Sequence, residues 1–266
     1  MGLYFSIARR SFRRYSTYRV ATAAGLFTNT VFGLVMCYTY IALWDARPGL
    51  GGYDVDDAVT YVWLGQSLGV VCALWGGGFR EELARRIRSG DVAIDLYRPV
   101  DIQTWWFASD LGRVAFHLLA RGIGPTLVGG LLFSITLPPS PLSWAAFFLA
   151  VVLAAVVSFS INYLFVLTAF WLMDDRGVQQ LSGILALFFS GLLLPLNIFP
   201  GLLGDIAMVL PWASALQVPA DIFLGKHQGL ELLSALGFQA GWAVLLWIAG
   251  RALTEVATRR VVVQGG

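Results

Sequence analysis

Long apolar runs, separated by short segments that hold nearly all of the arginine, constrain this chain more than any other feature. Hydrophobic residues make up 58% of the 266 and charged residues only 13%, too little polar surface for a soluble domain of this length. The pattern predicts an all-α, polytopic membrane protein with six spans at about 20–44, 59–78, 122–137, 142–173, 181–199 and 229–249. With both termini inside, the inner segments hold fifteen arginines, from Arg9 to Arg260, while the outer ones hold only Arg47 and Lys226. Arg121 falls at a boundary. This asymmetry places the N and C termini in the cytoplasm. A net charge of +2 points to no nucleic-acid partner.

The longest charged run, residues 79–101 (FREELARRIRSGDVAIDLYRPVD), follows the second span. Phe79, Leu83 and Ile87 recur every four residues and predict one apolar stripe of a short helix. Glu81 with Arg85, and Glu82 with Arg86, are i,i+4 pairs in the favourable order. Gly90 is a helix stop, and Pro99 prevents a continuous second helix. Such a helix at the membrane surface either receives a push from a soluble partner or is a solvated loop obeying the inside-positive rule.

Residues 1–19 interleave Arg9, Arg10, Arg13, Arg14 and Arg19 with aromatic and aliphatic side chains, which reads as an interfacial amphipathic helix rather than a cleaved signal peptide. In the first span Ala21, Gly25, Asn29 and Gly33 form a ridge of small residues suited to close helix packing, between subunits or within one. Gly65 and Gly69 give the second span a weaker packing signal, and Gln66 stands between them. Residues 103–121 read as a surface helix on which Arg113, His117 and Arg121 share a face, with Asp110 one turn earlier. Asn162 in the fourth span faces either substrate or a neighbouring helix. Residues 174–180, DDRGVQQ, form a short inner loop, either a helix connection or a second partner contact. Residues 200–228 are apolar but broken by Gly204, Pro211 and Pro219, with Asp205 and Asp221 among them; two short helices dipping into the outer leaflet fit this pattern. Cys37 and Cys72 fall in apolar runs and read as buried thiols.

Missing chemistry narrows the function. The span interiors are almost free of Asp, Glu, Lys and His, which disfavours a proton- or sodium-coupled carrier. The single lysine, Lys226, sits in no phosphate-binding loop, so the chain hydrolyses no ATP by that route. No His or Cys cluster predicts a metal site, and no nucleophile–base constellation predicts an enzyme. Active transport would need its energy from another polypeptide. The rival reading is a membrane scaffold or assembly factor that recruits a cytoplasmic partner.

Two local segments, REELARRIRSGDVAIDLYRPVD after the second span and SGLLLPLNIFPGLLGDIAMVLPWASALQVPADIFLG over 190–225, together with the layout, resemble the permease subunit of ABC-2 (type V) ABC exporters. The likeness covers nearly the whole chain. It implies an amphipathic connecting helix at 1–19 bearing Arg9, Arg10, Arg13 and Arg14, followed by one transmembrane domain at 20–266. It also implies that 79–90 is a coupling helix seated on a separate ATPase, with Phe79, Glu81, Glu82, Leu83, Arg85, Arg86 and Ile87 in that role. Two ATPase subunits, which carry the ATP and magnesium, and a second permease, identical or sister, are the implied partners; this chain itself binds no cofactor. Gly25, Asn29, Gly33, Gln66 and Asn162 become candidates for the dimer seam or substrate path, and the outer segment 200–224 would close that path. The implied setting is a bacterial cytoplasmic membrane and the implied activity is export, with a hydrophobic or amphipathic small molecule as cargo.

Overall fold

A computed structural model describes residues 2–172 and 175–259. The expectations that fall on Asp174 and Arg260 lie outside the described residues. Every regular element among the described residues is helical. Four helices are long and apolar enough to cross a membrane: α2 (Arg19–Ala46), the continuous helix Ile102–Leu132, α8 (Pro141–Leu167, prolonged by one tight turn to Phe170) and α12 (Leu230–Thr258).

At the centre stands α3 (Val55–Val71), 17 residues long, with every side chain from Asp57 to Val71 buried. Asp54 starts it with a reciprocal capping box to Asp57. At its far end Cys72 closes the helix, Ala73 turns to φ 52, and Gly76, Gly77 and Gly78 follow at φ 95, 87 and 73. Only glycine adopts three such angles in succession at little cost. The second apolar run therefore stops being helical seven residues before 78, where sequence alone placed its end.

Helix α2 packs against α3 through the small ridge anticipated from Gly25, Asn29 and Gly33. A Cβ at Gly33 would lie 2.6 Å from the Trp63 ring of α3, and a Cβ at Gly129 would lie 2.5 Å from the same indole. Trp63 is fully buried between these two glycines, which explains why both positions lack a side chain.

The charges at Asp110, Arg113 and Arg121 suggested a surface helix over 103–121 followed by a separate span at 122–137. The structure instead has one helix, built from α6 (Ile102–His117), a wide turn of π type at Leu118–Gly122, and α7 (Ile123–Leu132). It is about 46 Å long at 1.5 Å per residue, more than the ~30 Å of hydrocarbon requires. These charges find partners within the chain: Arg113 pairs with Asp110, and Arg121 donates to the neutral Asn29 Oδ1 at 3.1 Å, its Nε being left without a partner among the described residues. Helix α1 (Leu3–Thr17) runs along α6. Its closest approach is at Gly112, where a Cβ would lie 2.1 Å from the Ala8 carbonyl oxygen, and Phe12 meets Phe116 edge-on at 5.7 Å.

Two short helices, α4 (Arg80–Ser89) and α5 (Val92–Leu96), connect α3 to α6. The fifth apolar run is the other departure. Helix α9 (Arg176–Phe189) has 14 residues and breaks at Ser190 and Gly191, the latter at φ 88, ten residues short of 199, where sequence alone placed its end. Beyond it come α10 (Gly201–Val209), a tight turn at Pro211–Ala215 and the wholly buried α11 (Gln217–Phe223). Two short helices were expected here, but of the three residues read as breaks only Pro211 lies between them; Gly204 is inside α10 and Pro219 in the first turn of α11. Helix α12 closes the bundle along α8, and Gln239 on it donates to the carbonyls of Ala150 and Ser214 at 3.2 and 2.9 Å.

Gly112 and Gly237 separate packing from propensity. Gly112→Ala lowers the thermal midpoint of the purified protein in detergent, by about 1–3 kcal/mol of overpacking. Gly237 has no atom within 4 Å of the place a Cβ would take, so Gly237→Ala leaves the midpoint unchanged or raises it. Equal effects at the two positions would disprove the α1–α6 approach.

Candidate functional site

Helix α4 begins directly after the triple glycine and ends at Gly90, whose φ of 80 closes it in the left-handed conformation. Its apolar stripe faces the bundle. Phe79, Leu83 and Ile87 are buried with Trp106 of α6 and Phe159, Tyr163, Val166 and Leu167 of α8. The Phe79 ring lies 4.7 Å from that of Phe159 and 6.3 Å from that of Trp106. These three residues hold α4 to its own chain and are not accessible from outside.

The opposite side of α4 is polar, with Glu81, Arg85, Arg88 and Ser89 exposed. The two i,i+4 pairs read from the sequence do not form. Glu82 reaches across to α1 and accepts from Arg14 at 2.9 Å, which holds the Arg14 guanidinium above its ordinary value. Arg86 makes a two-pronged contact with Asp95 of α5 at 2.6 and 2.9 Å, and Arg98 joins the same carboxylate at 3.3 Å. Arg88 pairs with Asp175 at the start of α9 at 3.1 Å. Long-range partners win because the planar guanidinium forks of Arg86 and Arg88 meet carboxylates that are themselves nearly buried, whereas an exposed pair on one helix face gains only a few tenths of a kcal/mol, roughly. Neither Glu81 nor Arg85 has an ion pair among the described residues. Arg9, Arg10 and Arg13 are likewise exposed on α1 without one.

The other candidates fall into two places. Asn29, Gly33 and Gln66 meet at the α2–α3 interface, where Asn29 Nδ2 donates to the Gln66 backbone carbonyl at 3.4 Å, whereas Gly25 faces the π turn of the next long helix, a Cβ there lying 2.5 Å from the Arg121 guanidinium carbon. Asn29, Gly33 and Gly25 thus pack within the chain. Asn162 lies apart on α8, where its Oδ1 accepts from Arg80 at 2.8 Å.

Three polar features escaped the sequence reading. Arg80 is buried, although its spacing to Leu83 and Ile87 already set it on the inward face. Arg113 caps α3 by donating to the carbonyls of Val70 and Val71, both at 2.9 Å, while Asp110 holds it at 2.6 Å. At the opposite end of the bundle Gln217 gathers a buried knot. Its Nε2 donates to Tyr53 Oη and Asp221 at 3.0 and 2.9 Å, and its Oε1 accepts from Tyr61 Oη and the Leu196 amide at 2.9 and 2.8 Å. Tyr53 also donates to Asp221, and Lys226 pairs with Asp57 beside it. Asp205 and Asp221 do not act together, since Asp205 is exposed on α10. Gln217 carried no signal beyond being an amide in an apolar run.

A family model described as "ABC-2 family transporter protein" matches residues 26–265. The chain belongs to that family of membrane transport components, and the permeases of this family typically work with ATPase partners. No curated protein matches the chain.

Two of the arginine–carboxylate contacts at this end, Arg113–Asp110 and Arg14–Glu82, differ in depth, and their removal differs in cost. Arg113→Met leaves Asp110 buried and unpaired and uncaps α3, a loss of about 3–5 kcal/mol that thermal unfolding registers as a large fall in midpoint. Arg14→Ala, at a pair whose arginine side chain is 61% exposed, costs at most about 1 kcal/mol. A reversed order would refute the assignment of Arg113 as the structural cap.

Proposed function

We propose that this permease is the membrane subunit of an ATP-driven exporter in a bacterial cytoplasmic membrane, with α4 as the helix that a separate ATPase grips. In this reading α3 and α9 are two shorter spans that bring the total to six, the arginine-rich end carrying α1 and α4 faces the cytoplasm, and two permeases sit on two ATPase subunits that hold ATP and magnesium. The observation that carries it is the division of α4: an apolar side locked onto α6 and α8, and a polar side with Glu81 and Arg85 left without ion-pair partners. Ion pairs from Glu82 to α1 and from Arg88 to the start of α9 add to that apolar contact, giving a displacement of α4 three routes into the bundle. The cargo is a hydrophobic or amphipathic small molecule, consistent with spans that carry few charges.

The test is co-purification from native membranes in detergent, tagged wild type beside Glu81→Ala/Arg85→Ala, followed by an ATPase assay. Both side chains are exposed, so the double variant folds as the wild type does. A P-loop ATPase captured with the wild type, and uncoupled or lost in the variant, supports the exporter. Absence of any associated ATPase removes the energy source and leaves a scaffold that recruits some other partner.

A further inference from the structure

Two arginines lie buried where α3 gives way to α4, and they are treated differently. Arg113 has a carboxylate and two carbonyls. Arg80, 8% exposed, has the neutral amide of Asn162, and among the described residues no carboxylate lies within ion-pair distance of it. Its guanidinium packs over Gly76, where a Cβ would come within 2.8 Å of Nη2, so the glycine backbone makes room for it. Burial pushes this guanidinium below its ordinary value, with adjacent Glu81 acting in the opposite direction. A buried charge without a counter-charge is costly and needs a reason.

Arg80 borders a cavity of about 350 Å³ between α4 and α9, whose other walls include Arg88, Asp175, Gln179 and Gln180. Among the described residues two carboxylates border it: Asp175 is taken by Arg88 at 3.1 Å and by Gln179 at 3.3 Å, and Glu81 stands exposed at the rim, so that with Arg80, Arg88 and Arg176 the walls carry one positive charge in excess. From the cavity rim an apolar lane leads away along α9. Gln180, Ile184 and Phe188 stand at i, i+4 and i+8 on one face, and Leu181, Ile184 and Phe188 are exposed while Ser182 and Ala186 are buried on the other side.

We propose that this cavity receives the acidic head group, carboxylate or phosphate, of an amphiphile, with Arg80 as its counter-charge and the Gln180–Ile184–Phe188 face of α9 beneath its apolar tail. The chemistry is that of a buried guanidinium offering fork-shaped donors to a planar or tetrahedral anion. Taken as the cargo site, this rests on the transport reading above and narrows its substrate class to acidic amphiphiles.

The probe is 11-(dansylamino)undecanoic acid, compared with its methyl ester and with acetate and inorganic phosphate as competitors, titrated by fluorescence against the purified full-length permease. The wild type binds the acid about tenfold or more tightly than the ester, the gain of one charge-assisted contact. Arg80→Gln abolishes the difference and Arg80→Lys keeps part of it. Asn162→Asp is the variant that protects the test against misfolding: it supplies the absent counter-charge in place, holds or raises the thermal midpoint, and still erases the preference for the acid. Acetate or phosphate competing as well as the acid would reveal a small-anion site and overturn the amphiphile. Equal affinity for acid and ester in the wild type, or a preference that survives both Arg80→Gln and Asn162→Asp, would overturn the site altogether. These titrations need no ATP, so they judge the site even where no ATPase co-purifies. In a captured complex, ATPase stimulation by the acid and not the ester supports it as cargo, and its absence overturns that role.

Discussion

Everything at the arginine-rich end hangs on the guanidinium of Arg113. A helix buried on all sides, as α3 is, ends with carbonyls that have no partner within the helix and no water to replace one. Arg113 supplies two of those bonds, to Val70 and Val71, and Asp110 one turn back neutralises the charge it brings. That contact ties α6 to the central helix. Because α6 also carries α1 along Gly112 and presents Trp106 to Phe79, the position of α4 follows from it.

The same contact shows where sequence reading succeeds and where it fails. The stripe of Phe79, Leu83 and Ile87 and the stop at Gly90 located α4 closely, since both signals are local. Pro211 likewise announced the boundary between two short helices, whereas Gly204 and Pro219, also read as breaks, lie inside α10 and in the first turn of α11, where they are tolerated. Asp110, Arg113 and Arg121 misled for the opposite reason. Isolated charges read as surface unless their partners are known, and beyond the local Asp110–Arg113 pair the partners of Arg113 and Arg121 lie 42 to 92 residues away at Val71, Val70 and Asn29. The Glu82–Arg86 pair on α4 failed in the same way: Arg14 and Asp95 are better partners and neither is a neighbour on the helix. The end of α3 was illegible because an apolar run continues through Leu74 and Trp75 although the backbone has already turned at Ala73.

The two ends of the bundle solve the burial of polar groups by different means. The end with α1 and α4 uses charge pairs that cross between helices, several of them partly exposed. At the other end, one amide, Gln217, uses both its nitrogen and its oxygen to join Tyr53, Tyr61, Asp221 and the Leu196 backbone, with the Lys226–Asp57 ion pair beside it. A buried network whose members all find partners fixes relative positions closely. Exposed ion pairs exchange partners readily and are weakened by salt. The Gln217 end is therefore held more tightly than the partly exposed ion pairs hold α4 to α1 and α9.

The three successive glycines between α3 and α4 acquire a mechanical meaning in this setting. Covalently, α4 belongs with α3. Physically, it is glued by aromatic rings to α6 and α8, while the link to α3 runs through residues 72–79, of which Gly76, Gly77 and Gly78 have no side chains to resist torsion. A displacement of α4 would thus be delivered first to helices that follow later in the chain, and it would reach α3 by way of Arg113 rather than along the backbone. The three glycines would act as a swivel between two helices that are neighbours in sequence and not in packing.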